Sequence, residues 1–281
     1  MKNKQSGFTL IELTIVIVVI SLLATIAYIF VPNPVKSLIS VEQRAQLTTA
    51  IDNSTRLISR EVKLALPNSI RVSADGLSME FIPTSDSGSY FIAGLNHVFI
   101  GGSSTGPMTV NSATSVNLAS GTTNYLVVNN LGTGVPESDA YAPISNLADQ
   151  TVANRRTITL TSTNKIYINS LIGISQSSAV PPYRFYVVRS PITYQCDLAN
   201  GKLNRTTDYG FLANQNSSPT GFSSTVIDKL TDCKFIYDSA AIAQRDGLLS
   251  MKFTASVNPL APAGSSDSVS LLNAVTIYNQ P

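Results

Sequence analysis

Few side chains in this 281-residue sequence are of a type that does chemistry, and their spacing narrows the choice further. One His and two Cys argue against a multi-histidine or cysteine-rich metal site and leave His97 as the single imidazole available to any general base. Gly102, Ser103, Ser104, Thr105 and Gly106 spell G-x-S-x-G. On a strand–turn–helix that pattern would expose a nucleophilic serine, with His97 as its base. Here it falls in residues 101–124, where seventeen of twenty-four residues are Gly, Ser, Thr or Asn, so composition alone produces the match. Calcium-loop, phosphate-loop and zinc spacings are missing from the sequence. The reading is of a non-enzyme without catalytic residues, metal, cofactor or small-molecule substrate. Arg155 and Arg156 form one basic pair, short of the clustered cations and aromatic platforms that hold nucleic acid, so no nucleic-acid partner is expected.

The remaining chemical group of note is Glu12. It is the one charge in residues 8–31, FTLIELTIVIVVISLLATIAYIFV. As a helix this run would measure about 36 Å, enough to span a bilayer core of about 30 Å. It exceeds the apolar region of about 7–15 residues in an ordinary secretory signal. A plain anchor fits the length but not the glutamate, since an acid at membrane depth costs about 2.5–3.5 kcal/mol even on lenient insertion scales. Lys2 and Lys4 precede the run, which predicts a cytoplasmic N-terminus with the bulk of the chain outside. Cys196 and Cys233 then lie in the exported part, where a structural disulfide between them is expected.

The segment KNKQSG-FTLIELTIVIVVISLLATIA resembles the class III signal of type IV pilins and type II secretion pseudopilins. Its matching parts are a short basic leader ending in Gly7, then Phe8, Thr9, Leu10, Ile11 and Glu12, then an unbroken apolar helix. The resemblance implies that prepilin peptidase cuts between Gly7 and Phe8 and N-methylates Phe8, leaving the apolar helix on the mature protein. It also implies that Glu12 sets assembly register by pairing with the new amino group of a neighbouring subunit's Phe8. At an effective dielectric near 20, such a pair 4 Å apart is worth about 4 kcal/mol before desolvation. The blander alternative is a Glu12 that only snorkels to the headgroups. Loss of Lys2 and Lys4 would leave 19 − 2 = 17 basic against 17 acidic side chains, a near-neutral mature chain.

These groups need elements to position them. Pro32 and Pro34 predict a kink or pause, and Ser40 with Gln43 has capping-box spacing for a restart. From 40 to 66, Leu47, Ile51, Ile58, Val62 and Ala65 recur at helical spacing, with Arg44, Asp52, Arg56, Arg60 and Lys63 largely elsewhere on the cylinder. Leu66 before Pro67 predicts the stop. Beyond it the period becomes two. Leu77, Met79 and Phe81 alternate with Ser78 and Glu80; Tyr183, Phe185 and Val187 alternate likewise; and Leu249 to Val257 is the cleanest alternation of all. Further strands are expected near 69–73, 125–128, 157–161, 165–168, 192–195, 233–237 and 269–278, with turns at Asp75-Gly76 and Asn200-Gly201. Residues 101–124 read as a long surface excursion with short strands.

The expected fold is α+β and pilin-like: a long N-terminal helix, transmembrane then amphipathic, packed on antiparallel sheet in a single enlarged globular domain. Its parts are a cleaved leader 1–7, a hydrophobic transmembrane or filament-core helix 8–35, an amphipathic helix 36–66 and a β-rich periplasmic or extracellular domain 67–281. RLISREVKLALPNSIRVSADG at 56–76, YRFYVVRSPITYQCDLANGKLNR at 183–205, LTDCKFIYD at 230–238 and GLLSMKFTASV at 247–257 resemble the PilW/GspJ-like minor pilins, those of the mannose-sensitive haemagglutinin (MSHA) pilus among them. That resemblance implies a low-abundance subunit that starts or caps a pilus. Its implied partners are other minor and major pilins, prepilin peptidase, the inner membrane and the pilus assembly platform. A type II secretion pseudopilin and a tip-displayed adhesin are the alternatives.

Overall fold

A computed structural model describes residues 7, 9–30, 32–89, 108–111, 116, 118, 120–146, 152–162, 165–168, 183–242, 246–257 and 268–279. Two helices open the chain, α1 (Leu10–Phe30) and α2 (Pro32–Lys63). Pro32 and Pro34 occupy the first turn of α2, where backbone N–H groups have no intrahelical acceptor, so the missing donors cost nothing and the prolines open a helix. The restart expected at Ser40 does not occur there: Ser40 and Gln43 lie inside α2. The helix also stops three residues short of Leu66. The reason is competition from a strand edge: Leu66 N–H donates to Ile82 O and Thr84 N–H to Leu64 O, both at 2.8 Å, and Ala65 bridges Pro83.

Three antiparallel sheets follow. The first has the order β1-β2-β9-β10-β11, built from β1 (Arg71–Val72), β2 (Ser78–Phe81), β9 (Ile192–Asp197), β10 (Lys202–Thr207) and β11 (Phe222–Asp228). The second is β12 (Leu230–Ile242), β13 (Asp246–Ser256) and β14 (Ser268–Tyr278), in that order. The third comprises β3 (Thr84–Ser89), β4 (Met108–Asn111), β5 (Asn124–Val128), β6 (Arg155–Ser162), β7 (Lys165–Ile168) and β8 (Arg184–Val188), ordered β3-β8-β5-β6-β7-β4. This third sheet is an insertion. The chain leaves the first sheet after Phe81, forms β3 to β8, and returns at Ile192, which pairs directly with Phe81. The fold is α+β with a long N-terminal helix.

The first two sheets and α2 share one core. Leu47, Ile51, Ile58 and Val62 form the buried stripe of α2 and meet Met79, Phe81, Tyr194, Phe235, Leu249, Met251, Phe253 and Ala255. In β13 the alternation resolves as expected, with Leu249, Met251, Phe253 and Ala255 inside. Each fully buried aliphatic or aromatic side chain of this kind contributes about 1.5–3 kcal/mol by leaving water. Thr55 and Ser54 sit in the same stripe because their hydroxyls donate to Ile51 O and Ala50 O, so neither carries an unmet donor inward. The third sheet has its own core, around Leu126, Ile158, Ile166, Phe185 and Val187. A small cluster of Leu66, Ile82, Val127, Ala140, Tyr141 and Val188 joins the two halves.

Two turns show why glycine stands where it does. Gly76, between β1 and β2, has φ +71°, and a Cβ there would lie 2.9 Å from Phe235 O, the residue whose N–H donates to Gly76 O. Gly201, between β9 and β10, has φ +63° and accepts from Leu230 N–H. Cys196 of β9 is disulfide-bonded to Cys233 of β12, with Cα atoms 6.2 Å apart, stitching the first sheet to the second. The bridge closes a loop of 37 residues, for which a chain-entropy argument gives about 3–4 kcal/mol. A Cys196→Ser/Cys233→Ser double variant is expected to lose that much in urea unfolding of the full chain in detergent.

Candidate functional site: the N-terminal stem

The stem begins at Gly7, which is exposed and lacks a left-handed backbone; a Cβ added there would meet nothing within 4 Å. Neither packing nor backbone conformation calls for glycine at that position. Phe8 lies outside the described residues. Thr9 caps α1: its hydroxyl accepts from Glu12 N–H at 3.4 Å, and its carbonyl accepts from Leu13 N–H at 3.2 Å. Glu12 therefore stands in the first helical turn, where the positive end of the helix dipole favours a carboxylate. It is exposed, as are its neighbours.

The rest of α1 contradicts ordinary solubility. Leu10–Tyr28 has a mean hydropathy of 2.7, and none of it is buried against the protein. Leu10, Val18 and Leu22 are 82%, 63% and 61% exposed. A helix of this length spans about 28 Å, close to a bilayer core. Its serine and threonine hydroxyls are already satisfied inside the helix: Thr14 donates to Ile11 O, Ser21 to Val18 O and Thr25 to Ser21 O, each at 2.8 Å. That is the condition an apolar medium imposes, because it offers no partner to a stray donor. The stem thus has the length, apolarity and internal hydrogen bonding of a helix made for lipid or for a bundle of its own kind.

Residues 2–28 match the family described as the prokaryotic N-terminal methylation motif. The chain is pilin-like. No curated protein and no solved structure matches it. The motif, the exposed apolar helix and the disulfide together describe a membrane-anchored protein of the type IV pilin or pseudopilin kind, and the motif points to structural rather than enzymatic work and to association with other pilins and their assembly machinery.

His97 and the pentad Gly102 to Gly106 lie outside the described residues, as does most of the 101–124 excursion. Two described parts of that excursion are structural: β4 joins the edge of the third sheet, and Val116 is buried in its core. Among the described residues no group of three His, Cys, Asp or Glu could hold a metal. Arg155 and Arg156 are not a surface patch. Both are buried in β6, and burial lowers each guanidinium to about 10. Arg155 lies over the Phe211 ring at 3.6 Å and donates to Ala140 O; Arg156 donates to Ala153 O at 2.7 Å.

Two polar clusters were not visible in the pattern. Glu80 and Ser78 are expected on the solvent side of β2, yet every residue of that strand is buried. The segment between β10 and β11 covers the second face. Tyr209 donates its hydroxyl to Glu80 at 2.7 Å, while Arg71 pairs with Glu80, donates to Leu212 O and Ala213 O, and stacks on the Tyr141 ring at 3.6 Å. In the second cluster Glu61 of α2 receives Arg205 of β10 at 3.0 Å and the Tyr194 hydroxyl at 2.8 Å, tying helix to sheet. Burial, reinforced by the adjoining carboxylate, pushes the Tyr209 and Tyr194 phenols well above their ordinary range, so both remain hydrogen-bond donors at neutral pH.

Proposed function

We propose that the chain is a minor pilin: a structural subunit that helps initiate or cap a type IV pilus of the MSHA type after processing by prepilin peptidase. Within the PilW/GspJ-like group it resembles the MshO minor pilin. In this reading the leader ending at Gly7 is removed, Phe8 becomes the methylated N-terminus, and the domain after the stem stands in the periplasm until the subunit leaves the inner membrane for the pilus tip. The carrying observation is the fully exposed apolar helix with one acid in its first turn, preceded by a glycine the fold does not need and lying within the methylation motif. Lipid and a helical bundle reward the same apolar surface, so one helix serves first as anchor and then as filament core. Glu12 supplies register by meeting the amino group of a neighbouring Phe8.

Processing is tested at Gly7. Gly7→Val is expected to accumulate a precursor seven residues longer than the mature chain, while Gly7→Ala retains partial cleavage. Both are read by gel mobility and by the N-terminal mass in cells with and without the peptidase. A Gly7→Val chain that migrates as wild type would remove the peptidase from the account.

A further inference from the structure

The second sheet ends in an edge that natural sheets usually protect. β14 runs for eleven residues, SVSLLNAVTIY, without a charge or a proline, and its pairing with β13 is continuous from Ser256↔Ser268 to Asp246↔Tyr278. Among the described residues no strand pairs with its other side. Unprotected edges of this kind are templates for another strand. Beside it lies a groove of about 910 Å³, with α2 as the facing wall. Asn273, Ala274, Val275 and Thr276 all line this groove, although alternate side chains of a strand point to opposite faces. The groove therefore reaches the main chain of β14 and is not confined to one row of its side chains.

The helical wall is cationic. Arg56 is neutralised by Asp52 at 2.8 Å, but Arg60 and Lys63 have no ion-pair partner among the described residues. Ser59 on the same wall has a buried hydroxyl without a hydrogen-bond partner among the described residues, and Leu64, 60% exposed, adds an apolar contact. We propose that this groove receives an acidic, extended segment of another protein, which joins β14 as a fourth strand while its carboxylates meet Arg60 and Lys63. Main-chain pairing would supply affinity and the two cations selectivity, the division found wherever a strand adds to a sheet edge. A second copy of β14 fits less well, because it brings no carboxylate to the cationic wall.

The test uses the full chain in detergent micelles and three acetylated, amidated octapeptides: alternating Glu and Val, alternating Lys and Val, and the Glu peptide N-methylated at every residue. The Glu peptide is expected to bind at least tenfold more tightly than the Lys peptide by fluorescence anisotropy and to slow amide exchange in residues 269–277. An Arg60→Glu/Lys63→Glu variant, altered only at exposed positions, should reverse the order of the two peptides. Equal binding of Glu and Lys peptides, or failure of the Glu peptide to bind, overturns the proposal. So does full binding by the N-methylated peptide, which would leave charge alone. Protection of 269–277 that grows with protein concentration without peptide would assign the edge to self-pairing instead. None of these readouts depends on cleavage at Gly7 or on filament assembly, so this proposal and the pilin reading fail separately.

Discussion

Replacing Glu12 with alanine is expected to leave the chain inserted, cut after Gly7 and methylated, yet unable to enter a filament. The energetic argument is one-sided. An acid in the apolar run costs about 2.5–3.5 kcal/mol in the membrane, so its removal makes the anchored state easier to reach. What disappears is the attraction between a carboxylate and a neighbouring subunit's amino group, about 4 kcal/mol at 4 Å and an effective dielectric near 20. Before desolvation is subtracted, a loss of that size corresponds to nearly a thousandfold in association at each junction. The Thr9 cap survives, because it uses the backbone N–H of residue 12 and not the carboxylate. Helix formation is thereby separated from register. The measurement is a count of pili by electron microscopy beside the N-terminal mass of the processed subunit. Wild-type piliation in Glu12→Ala would refute the register role; an unprocessed chain would show that Glu12 acts earlier, in peptidase recognition.

Glu80→Ala is expected to destabilise the globular part by about 3–5 kcal/mol, the usual cost of removing one partner from a buried ion pair. The side chain of Glu80 has no exposure, and that of Arg71 only 13%. Removing the carboxylate leaves the Tyr209 hydroxyl with Thr193 alone and strips the guanidinium of its counter-charge, though not of its two carbonyl acceptors. Both losses fall where the segment between β10 and β11 is fastened over the first sheet, so the lid itself is expected to loosen. Asp52→Ala provides the contrast. Its partner Arg56 is 77% exposed, and an i,i+4 pair of this kind is worth only about 0.2–0.5 kcal/mol. Urea unfolding of both variants in detergent decides the matter. A Glu80→Ala loss below about 1 kcal/mol would mean that water already shares the site.

The stem and the strands were legible to different depths. An apolar run with a lone acid announces itself, since nothing in a folded domain produces that pattern and leaves it exposed. β13 was equally plain, because Leu249, Met251, Phe253 and Ala255 each face one core and alternate with the polar Ser250, Lys252 and Thr254. By contrast β3, TSDSGS, and β11, FSSTVID, carry too few apolar side chains to declare a period; their partners in the sheet hold them. Glu80 misled for a related reason. Alternation reports that one face of a strand is covered, but only the distant Tyr209 segment reveals that the other is covered too. Helix termination at Lys63 likewise depends on Ile82 and Pro83, twenty residues on, which capture the backbone before Pro67 can stop it.

Phe81 and Ile192 face each other across a ladder as residues of a tight hairpin would, yet 110 positions lie between them. The core beneath α2 takes no side chain from the described residues of 84–188. That stretch is a cartridge. Lengthening it costs only about 0.6 kcal/mol per doubling in loop closure. A chain built this way can vary that stretch in length, provided Tyr141 and Val188 keep their contacts with Leu66, Ile82 and Ser69.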